Sequence, residues 1–273
     1  MIMQHLESAV EMVRGMGYVP VYAALYGSQN YGMDVYCENH QADYDVKVIV
    51  MPSIHDVVFK RMTVSRTVEY DGGVIDIKDV LSMSENICKA NPQYLEILLT
   101  PFYLTFPGGE YLETIRSRTQ DLLSSRRGEF ARAVFGCFHG KLKDAFRVKP
   151  STQDNITKFG YDGKSLHHAL RFKLMLEDFE KTGRMVLHPP SEHTTFLINL
   201  KLNEIPLDRI FPLVDLWGTE AEQCANRIIQ TASPVSESCA DEIMSETRRA
   251  LYFALKSDLM GSNPIYTKEY KNE

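Results

Sequence analysis

The first fifty residues change from a helical spacing of apolar positions to continuous apolar runs. Residues 2–16 carry a helical repeat of apolar side chains at Ile2, Leu6, Ala9, Val10 and Val13. This spacing predicts an amphipathic helix. The stretch YVPVYAALY at 18–26 and the stretch YDVKVIV at 44–50 are rich in β-branched and aromatic residues. Both predict buried strands, because strands covered on two faces need no polar alternation.

The next segment alternates strand and helix signals. TVSRTVEY at 63–70 and VIDIKDV at 74–80 flank DGG, which predicts a hairpin closed by a glycine turn. We expect a helix over 79–90. Asn91 followed by Pro92 predicts a second helix start, because Asn caps well and Pro fits the first helical position. PFYLTFPGG at 101–109 predicts a short final strand.

Strand signals stop after about residue 108, and helical patterns follow. The spacing predicts helices over 126–148, 162–182 and 235–258, with shorter ones between them. We therefore expect an α+β fold, in which a mixed sheet with flanking helices over 1–108 precedes an all-helical domain over 109–273.

Charge is unevenly distributed along this 273-residue chain, whose net charge is −6. The segment 126–173 holds 11 Lys/Arg and 4 Asp/Glu, a balance of +7, so the remainder carries −13. A basic segment in an acidic chain indicates a local anion site, with a solvated helix pair as the alternative. No apolar run approaches the ~20 residues of a membrane span. Five widely spaced cysteines without a Cys-x-x-Cys pair favour a reducing cytoplasm.

Carboxylates stand at the start of the second strand and within a later one. Asp43 and Asp45 are two residues apart, so strand alternation places them on one face with Tyr44 on the other. Two carboxylates this close repel unless a cation lies between them. Asp76 comes from the later strand, and if the two strands are neighbours, three acids converge. Three acids are enough for two divalent ions about 4 Å apart. An exposed strand start is the alternative interpretation.

Gly27 and Ser28 directly follow the first buried strand. Gly27 lets backbone approach a ligand closely, and a hydroxyl with backbone N–H groups at such an exit can hold a phosphate. Gly32 gives a second flexible point. One end of the sheet would therefore offer phosphate donors beside metal-binding acids. An ordinary turn is the alternative interpretation of Gly27-Ser28.

Four segments, taken together, resemble a known superfamily. GSQNYG, then DYD before an apolar strand, then a later ID, look like the nucleotidyltransferase superfamily with the DNA-polymerase-β-like fold. NPQYLEILLTP at 91–101 and KFGYDGKSLHHALR at 158–171 are similar to signature segments of predicted bacterial and phage nucleotidyltransferases with a helical C-terminal half. The resemblance covers roughly residues 20–185.

The resemblance implies roles for individual positions. Gly27 and Ser28 would bind the triphosphate, and Asp43, Asp45 and Asp76 would be the catalytic residues that hold two Mg²⁺ ions, for which Mn²⁺ could substitute. Asp76 would also help to activate the acceptor hydroxyl. Asp79 competes for that third role, but alternation from Asp76 turns it away. The family often has Arg where this chain has Gln29, and the interval from Gly27 to Asp43 is longer here.

The basic segment contains two stripes of cationic side chains at helical spacing. Lys164, His168 and Arg171 share one helix face, and the family pattern makes them candidate nucleotide-binding residues. His139, Lys143 and Arg147 form a similar stripe on the preceding helix, which we interpret as a solvated face.

The predicted function is metal-dependent transfer of a nucleoside monophosphate from an NTP to a hydroxyl acceptor, with release of pyrophosphate. An RNA end or a protein is the candidate acceptor, because the basic segment favours a charged macromolecule. Two alternatives remain open: a small-molecule transferase of the aminoglycoside type, and a catalytically silent nucleotide-binding regulator. No membrane partner is expected.

Overall fold

A computed structural model describes residues 2–35, 42–59, 64–70, 72–233 and 238–259. A five-stranded mixed sheet forms the N-terminal part, with the strand order β3-β4-β2-β1-β5. Its strands are β1 Val19–Tyr26, β2 Asp45–Met51, β3 Ser65–Tyr70, β4 Gly73–Asp79 and β5 Tyr103–Thr105. Strand β1 runs antiparallel to β2 and β5, β3 runs antiparallel to β4, and β2 runs parallel to β4.

Helices flank the sheet and make up the rest of the described chain. Those in the N-terminal part are α1 Ile2–Gly15, α2 Ile54–Val58, α3 Val80–Cys88 and α4 Pro92–Leu99. The helices that follow β5 are α5 Glu110–Ser117, α6 Thr119–Ser125, α7 Arg127–Phe146, α8 Gln153–Phe159, α9 Gly163–Thr182, α10 Ser191–Lys201, α11 Leu207–Thr231 and α12 Ser238–Leu259. None of the helices in the described part of the chain is long and apolar enough to cross a bilayer.

Two clusters of buried side chains cover the two faces of the sheet. The smaller one packs α1 against β1, β2 and β4, through residues such as Leu6, Val48 and Ile77. The larger one begins on the other sheet face and continues without a break between α7, α9 and α11. Phe130 of α7 and Phe179 of α9 meet within it, with ring centroids 4.4 Å apart. The helical part is therefore packed onto the sheet through the same core that holds the helices together.

The expected α+β architecture is confirmed, and most element bounds fall within two residues of the expectation. The side-chain oxygen of Asn91 accepts a hydrogen bond from Gln93 N at 3.0 Å and caps α4, as predicted. The expectation of only shorter helices between 182 and 235 was wrong, because α11 has 25 residues. Pro212 lies inside α11, where it removes one backbone hydrogen bond to the carbonyl four residues earlier, yet the helix continues past it. Residues 36–41, the hairpin position 71 and the tail 260–273 lie outside the described residues.

Candidate active site

A cavity of about 410 Å³ opens between the sheet end that carries Gly27 and the basic face of α9. The side chains around it come from both parts of the chain, and they include acids from β2, β4 and α4 together with cations from the sheet and from α7 and α9. Its lining residues are Tyr26, Gly27, Tyr31, Asp45, Lys47, Thr67, Asp76, Lys78, Gln93, Glu96, Lys141, His168, Arg171 and Phe172. Five of the eight predicted site residues are thus brought together here.

Asp45 is the first residue of β2, and its neighbour Tyr44 fixes the direction of its side chain. Tyr44 turns to the opposite sheet face, where its ring stacks on His5 at 4.1 Å. Tyr70 Oη donates to Tyr44 O at 2.8 Å, which ties this strand entry to β3. Asp45 consequently points into the cavity. Asp43 precedes the strand, is exposed, and influences Asp45 electrostatically.

At Gly27 the backbone passes close to the Asp45 carboxylate. The φ of Gly27 is +83°, and a Cβ added there would lie 2.7 Å from Asp45 Oδ2. Both the left-handed conformation and the space beside Asp45 therefore require glycine. The chain then enters a 3-10 helix at Ser28–Tyr31, which ends at Gly32 in the left-handed conformation. Ser28 is half-buried and begins this turn directly beside the cavity.

Asp76 lines the cavity, and lysines from two strands bind both of its oxygens. The parallel pairing of β2 with β4 places Lys47 opposite Asp76. Lys47 Nζ lies 2.7 Å from Asp76 Oδ2, and Lys78 Nζ lies 3.0 Å from Oδ1. Asp79 faces away, as alternation predicts, and its carboxylate accepts from Leu81 N at 3.0 Å and Ser82 N at 2.8 Å as the N-cap of α3. Asp79 is therefore committed to a structural role.

The predicted stripe on α9 turns toward this cavity with increasing burial along the helix. Lys164 is exposed, His168 is half-buried and Arg171 is only 4% exposed. Lys164 is the charged group that most strongly counteracts burial at Asp45, where burial raises the pKa of the carboxyl. The pKa of His168 lies well below its usual value because of burial and the neighbouring His167 and Arg171. His168 is therefore neutral at pH 7 and offers a hydrogen bond rather than a charge.

Arg171 is a buried cation whose guanidinium makes no hydrogen bond and no ion pair to any residue that the structure describes. It lies over the Tyr31 ring at 3.5 Å from the centroid, and the Phe172 ring is 4.8 Å away. Burial lowers its pKa to about 10, so it stays charged at neutral pH. An unpaired buried charge is costly unless a partner compensates it. Arg171 therefore presents to the cavity a positive charge that an anionic ligand would compensate.

Glu96 is the acid nearest to Arg171, but it is mostly protonated at pH 7. Burial raises its pKa to about 8, against the opposing effect of Arg171. Tyr31 Oη donates to Glu96 Oε2, which joins the end of the glycine turn to α4. Three of the segments quoted for the family resemblance thus meet at Tyr31, Glu96 and Arg171. A protonated Glu96 leaves the charge of Arg171 largely uncompensated.

The donor set suits one hard cation better than two. Asp43 and Asp45 are two carboxylates that form no ion pair with any described residue, and Mg²⁺ usually takes one or two carboxylates plus substrate phosphates. Asp76 does not fit as a ligand in the arrangement observed, because lysines occupy both of its oxygens. Within the described ranges, no group of three or more His, Cys, Asp or Glu side chains is placed to hold a metal ion.

The second cationic stripe stays outside the cavity. His139 and Lys143 on α7 and Arg147 directly after its end are all exposed, which confirms the interpretation of a solvated face. The difference arises from the rotation of α7, whose other face packs on α9 through Phe130 and Phe138.

Sequence reasoning missed several residues of the cavity. Lys47 shares the face of Asp45 by alternation, and this spacing was the signal that could have found it. Glu96 lies inside the quoted segment 91–101, and an acid within an apolar helix was the signal that could have found it. Lys201 was also missed. It comes from α10, donates to Met33 O at 3.0 Å, and acts electrostatically on Asp43 and Asp45.

Comparisons with known proteins do not identify the function of this chain. No protein-family model matches the chain, and no curated protein matches it. Among solved structures, the chain is similar to a nucleotidyltransferase-like protein from Exiguobacterium sibiricum, with 13% sequence identity and a TM-score of 0.33. That match covers 96% of this chain and 89% of the other. The functional argument therefore depends on the residues of the cavity.

Proposed function

We propose that this protein is a metal-dependent nucleotidyltransferase, which moves a nucleoside monophosphate from an NTP to a hydroxyl acceptor. The observation that carries the proposal is Arg171. A buried guanidinium without a partner among the described residues faces the same cavity as Asp45 and Asp76. A triphosphate would compensate the charge of this guanidinium, and a cavity of about 410 Å³ falls within the roughly 300–1,000 Å³ of small-molecule sites.

The proposed placement of the substrate follows from the charges. Arg171 and the neutral His168 bind the triphosphate from the α9 side, with Lys164 at the cavity mouth. Gly27 and Ser28 contact the phosphates from the sheet side, through backbone N–H groups and the Ser28 hydroxyl. Asp43 and Asp45 hold Mg²⁺, for which Mn²⁺ could substitute, and the ion supplies charge neutralisation at the phosphates when bound.

The proposed reaction exchanges one phosphorus–oxygen bond for another. The acceptor oxygen forms a bond to the α-phosphorus, while the bond from this phosphorus to the α,β-bridging oxygen breaks. Pyrophosphate leaves with that electron pair, and the hydroxyl proton passes to the Asp76 carboxylate. Lys47 and Lys78 hold the Asp76 carboxylate in position before the transfer. The basic α7–α9 segment favours an anionic acceptor, and we propose an RNA end ahead of a protein.

Position-specific labels test the proposal. The protein is incubated with Mg²⁺, short 3′-hydroxyl RNAs and each NTP, labelled either at the α- or at the γ-phosphorus. We expect α-label on the RNA or on the protein and γ-label in pyrophosphate. Transfer of γ-label would indicate a kinase and would contradict the proposal. NTP binding without any label transfer would identify the silent regulator, and label on an added aminoglycoside alone would identify the small-molecule enzyme.

A further inference from the structure

The third carboxylate of the candidate site is already neutralised by the protein itself. Asp76 accepts from Lys47 at 2.7 Å on one oxygen and from Lys78 at 3.0 Å on the other. All three side chains are largely shielded from solvent, with 15% or less of each exposed. Shielded ion pairs of this kind are poorly screened, and they persist where surface pairs do not.

Both lysines are held in place by groups other than Asp76. The Lys47 ammonium lies between two aromatic rings, 4.8 Å from the Tyr26 centroid and 4.6 Å from the Tyr94 centroid. Lys78 Nζ also donates to Ser65 Oγ at 2.6 Å on the neighbouring strand β3. Cation–π contacts and this second hydrogen bond keep the two ammonium groups at the carboxylate. A metal ion at Asp76 would have to share the carboxylate oxygens with two anchored ammonium groups, whose positive charges repel it.

Asp43 and Asp45 present the opposite situation. Asp45 accepts a backbone hydrogen bond from Val74, but neither carboxylate forms an ion pair with a residue in the described part of the chain, and Lys164 and Lys201 act on Asp45 only through longer-range electrostatics. The site is thus divided into an open dicarboxylate at the start of β2 and a carboxylate clamped by lysines on β4. Only the first calls for a divalent cation.

We propose that the site binds a single divalent cation, at Asp43 and Asp45, and that the Lys47–Asp76–Lys78 cluster takes the place of a second ion. This inference rests on the proposed function, which it refines from the two ions expected from sequence. The cluster provides fixed positive charge near the acceptor side of the cavity, and preorganised charge of this kind stabilises a developing negative charge without reorganisation. Lys47 and Lys78 are positioning residues for Asp76.

The number of bound Mn²⁺ ions tests this inference directly. The EPR signal of free Mn²⁺ is followed during titration of the protein, with Mn²⁺ alone and with α,β-methylene-ATP present. We expect one protein-bound ion in both titrations. Asp45→Asn should remove it, with affinity falling at least tenfold, whereas Asp76→Asn should change its affinity less than threefold. Two ions, or none, in the wild-type protein would overturn the inference.

Lysine variants provide a second test of the number of bound ions, with controls for misfolding. Lys47→Met with Lys78→Met should release Asp76 and raise the count to two ions, while the exposed Lys143→Met serves as the matched control with one. Asp76→Asn is repeated together with Lys47→Met, so that the buried Lys47 does not remain without its carboxylate partner. A count that stays at one in the double lysine variant contradicts the inference. If Mn²⁺ binds as expected but the nucleotide analogue does not, the proposed function fails and the single-ion site stands.

Discussion

Two helices of the same bundle carry nearly the same cationic spacing, and they use it differently. The α7 stripe of His139, Lys143 and the C-cap residue Arg147 lies in solvent, whereas the stripe on α9 ends at a buried Arg171 over the Tyr31 ring. Periodicity identifies the face of a helix, but packing decides where that face points. The charge of Arg171 therefore requires a partner, and the charge of Arg147 does not.

Replacing the buried Arg171 should give the largest loss of NTP affinity among the substitutions that test this difference between α7 and α9. Arg171→Met removes the cation that we place on the triphosphate, and a hydrogen bond to a charged group contributes about 1.5–3 kcal/mol. We expect NTP affinity to fall up to about a hundredfold, at 1.4 kcal/mol per factor of ten. Calorimetric titration with a non-hydrolysable NTP measures the change. Arg147→Met is the control, and an equal loss in both variants would refute the distinction.

A substitution at Ser28, on the opposite side of the cavity, should give the next largest loss of NTP affinity. Ser28→Ala removes a hydroxyl that we place on the β- and γ-phosphates, so NTP affinity should fall about ten- to a hundredfold. Affinity for the NMP should change little, because the NMP lacks those phosphates. Parallel titrations with NTP and NMP make the measurement. Equal losses for both ligands would mean that Ser28 acts through the local structure of the turn.

Lys164, at the exposed end of the α9 stripe, should contribute less to NTP affinity. Lys164 is exposed, and surface charge interactions contribute about 0.2–1 kcal/mol. Lys164→Ala should therefore weaken NTP binding roughly two- to fivefold. The loss should shrink as salt rises from 50 to 500 mM, since exposed charges are screened. Lys143→Ala on α7 is the matched control. A loss that does not depend on salt would contradict a purely electrostatic contribution.

The smallest effect concerns the protonation of Glu96. Its pKa is raised to about 8 in the folded protein, so the folded state binds more protons than the unfolded state between roughly pH 4.5 and 8. Stability that depends on this proton is complete below that window and is lost as pH rises through it. The melting temperature of the wild type should fall relative to Glu96→Gln from pH 5 to 8. A constant difference across this range would mean that Glu96 is ionised throughout.

Local patterns predicted the sheet and the direction of most site residues, because a strand's side-chain alternation needs no knowledge of the fold. For this reason Asp45 faces the cavity, whereas Asp79 faces away from it and caps α3. The Asp76 clamp could not be predicted, since it depends on the register that places Lys47 of β2 beside β4. Glu96 and Lys201 reach the site through packing between distant elements, which single-sequence periodicity does not record. The expectation of two ions remains a prediction. The contacts of Lys47 and Lys78 with Asp76 are the basis of the single-ion proposal.

Pyrophosphate release by matched variants tests the central claim, that the chemistry takes place in the cavity and not on the outer basic face. The protein is assayed with Mg²⁺, an NTP and RNA in a coupled assay for pyrophosphate. We predict that the triple variant His139→Ala, Lys143→Ala and Arg147→Ala retains most of the NTP-driven release, and that Asp45→Asn, with its fold verified by circular dichroism, loses it at least a hundredfold. Wild-type release by Asp45→Asn would contradict the account.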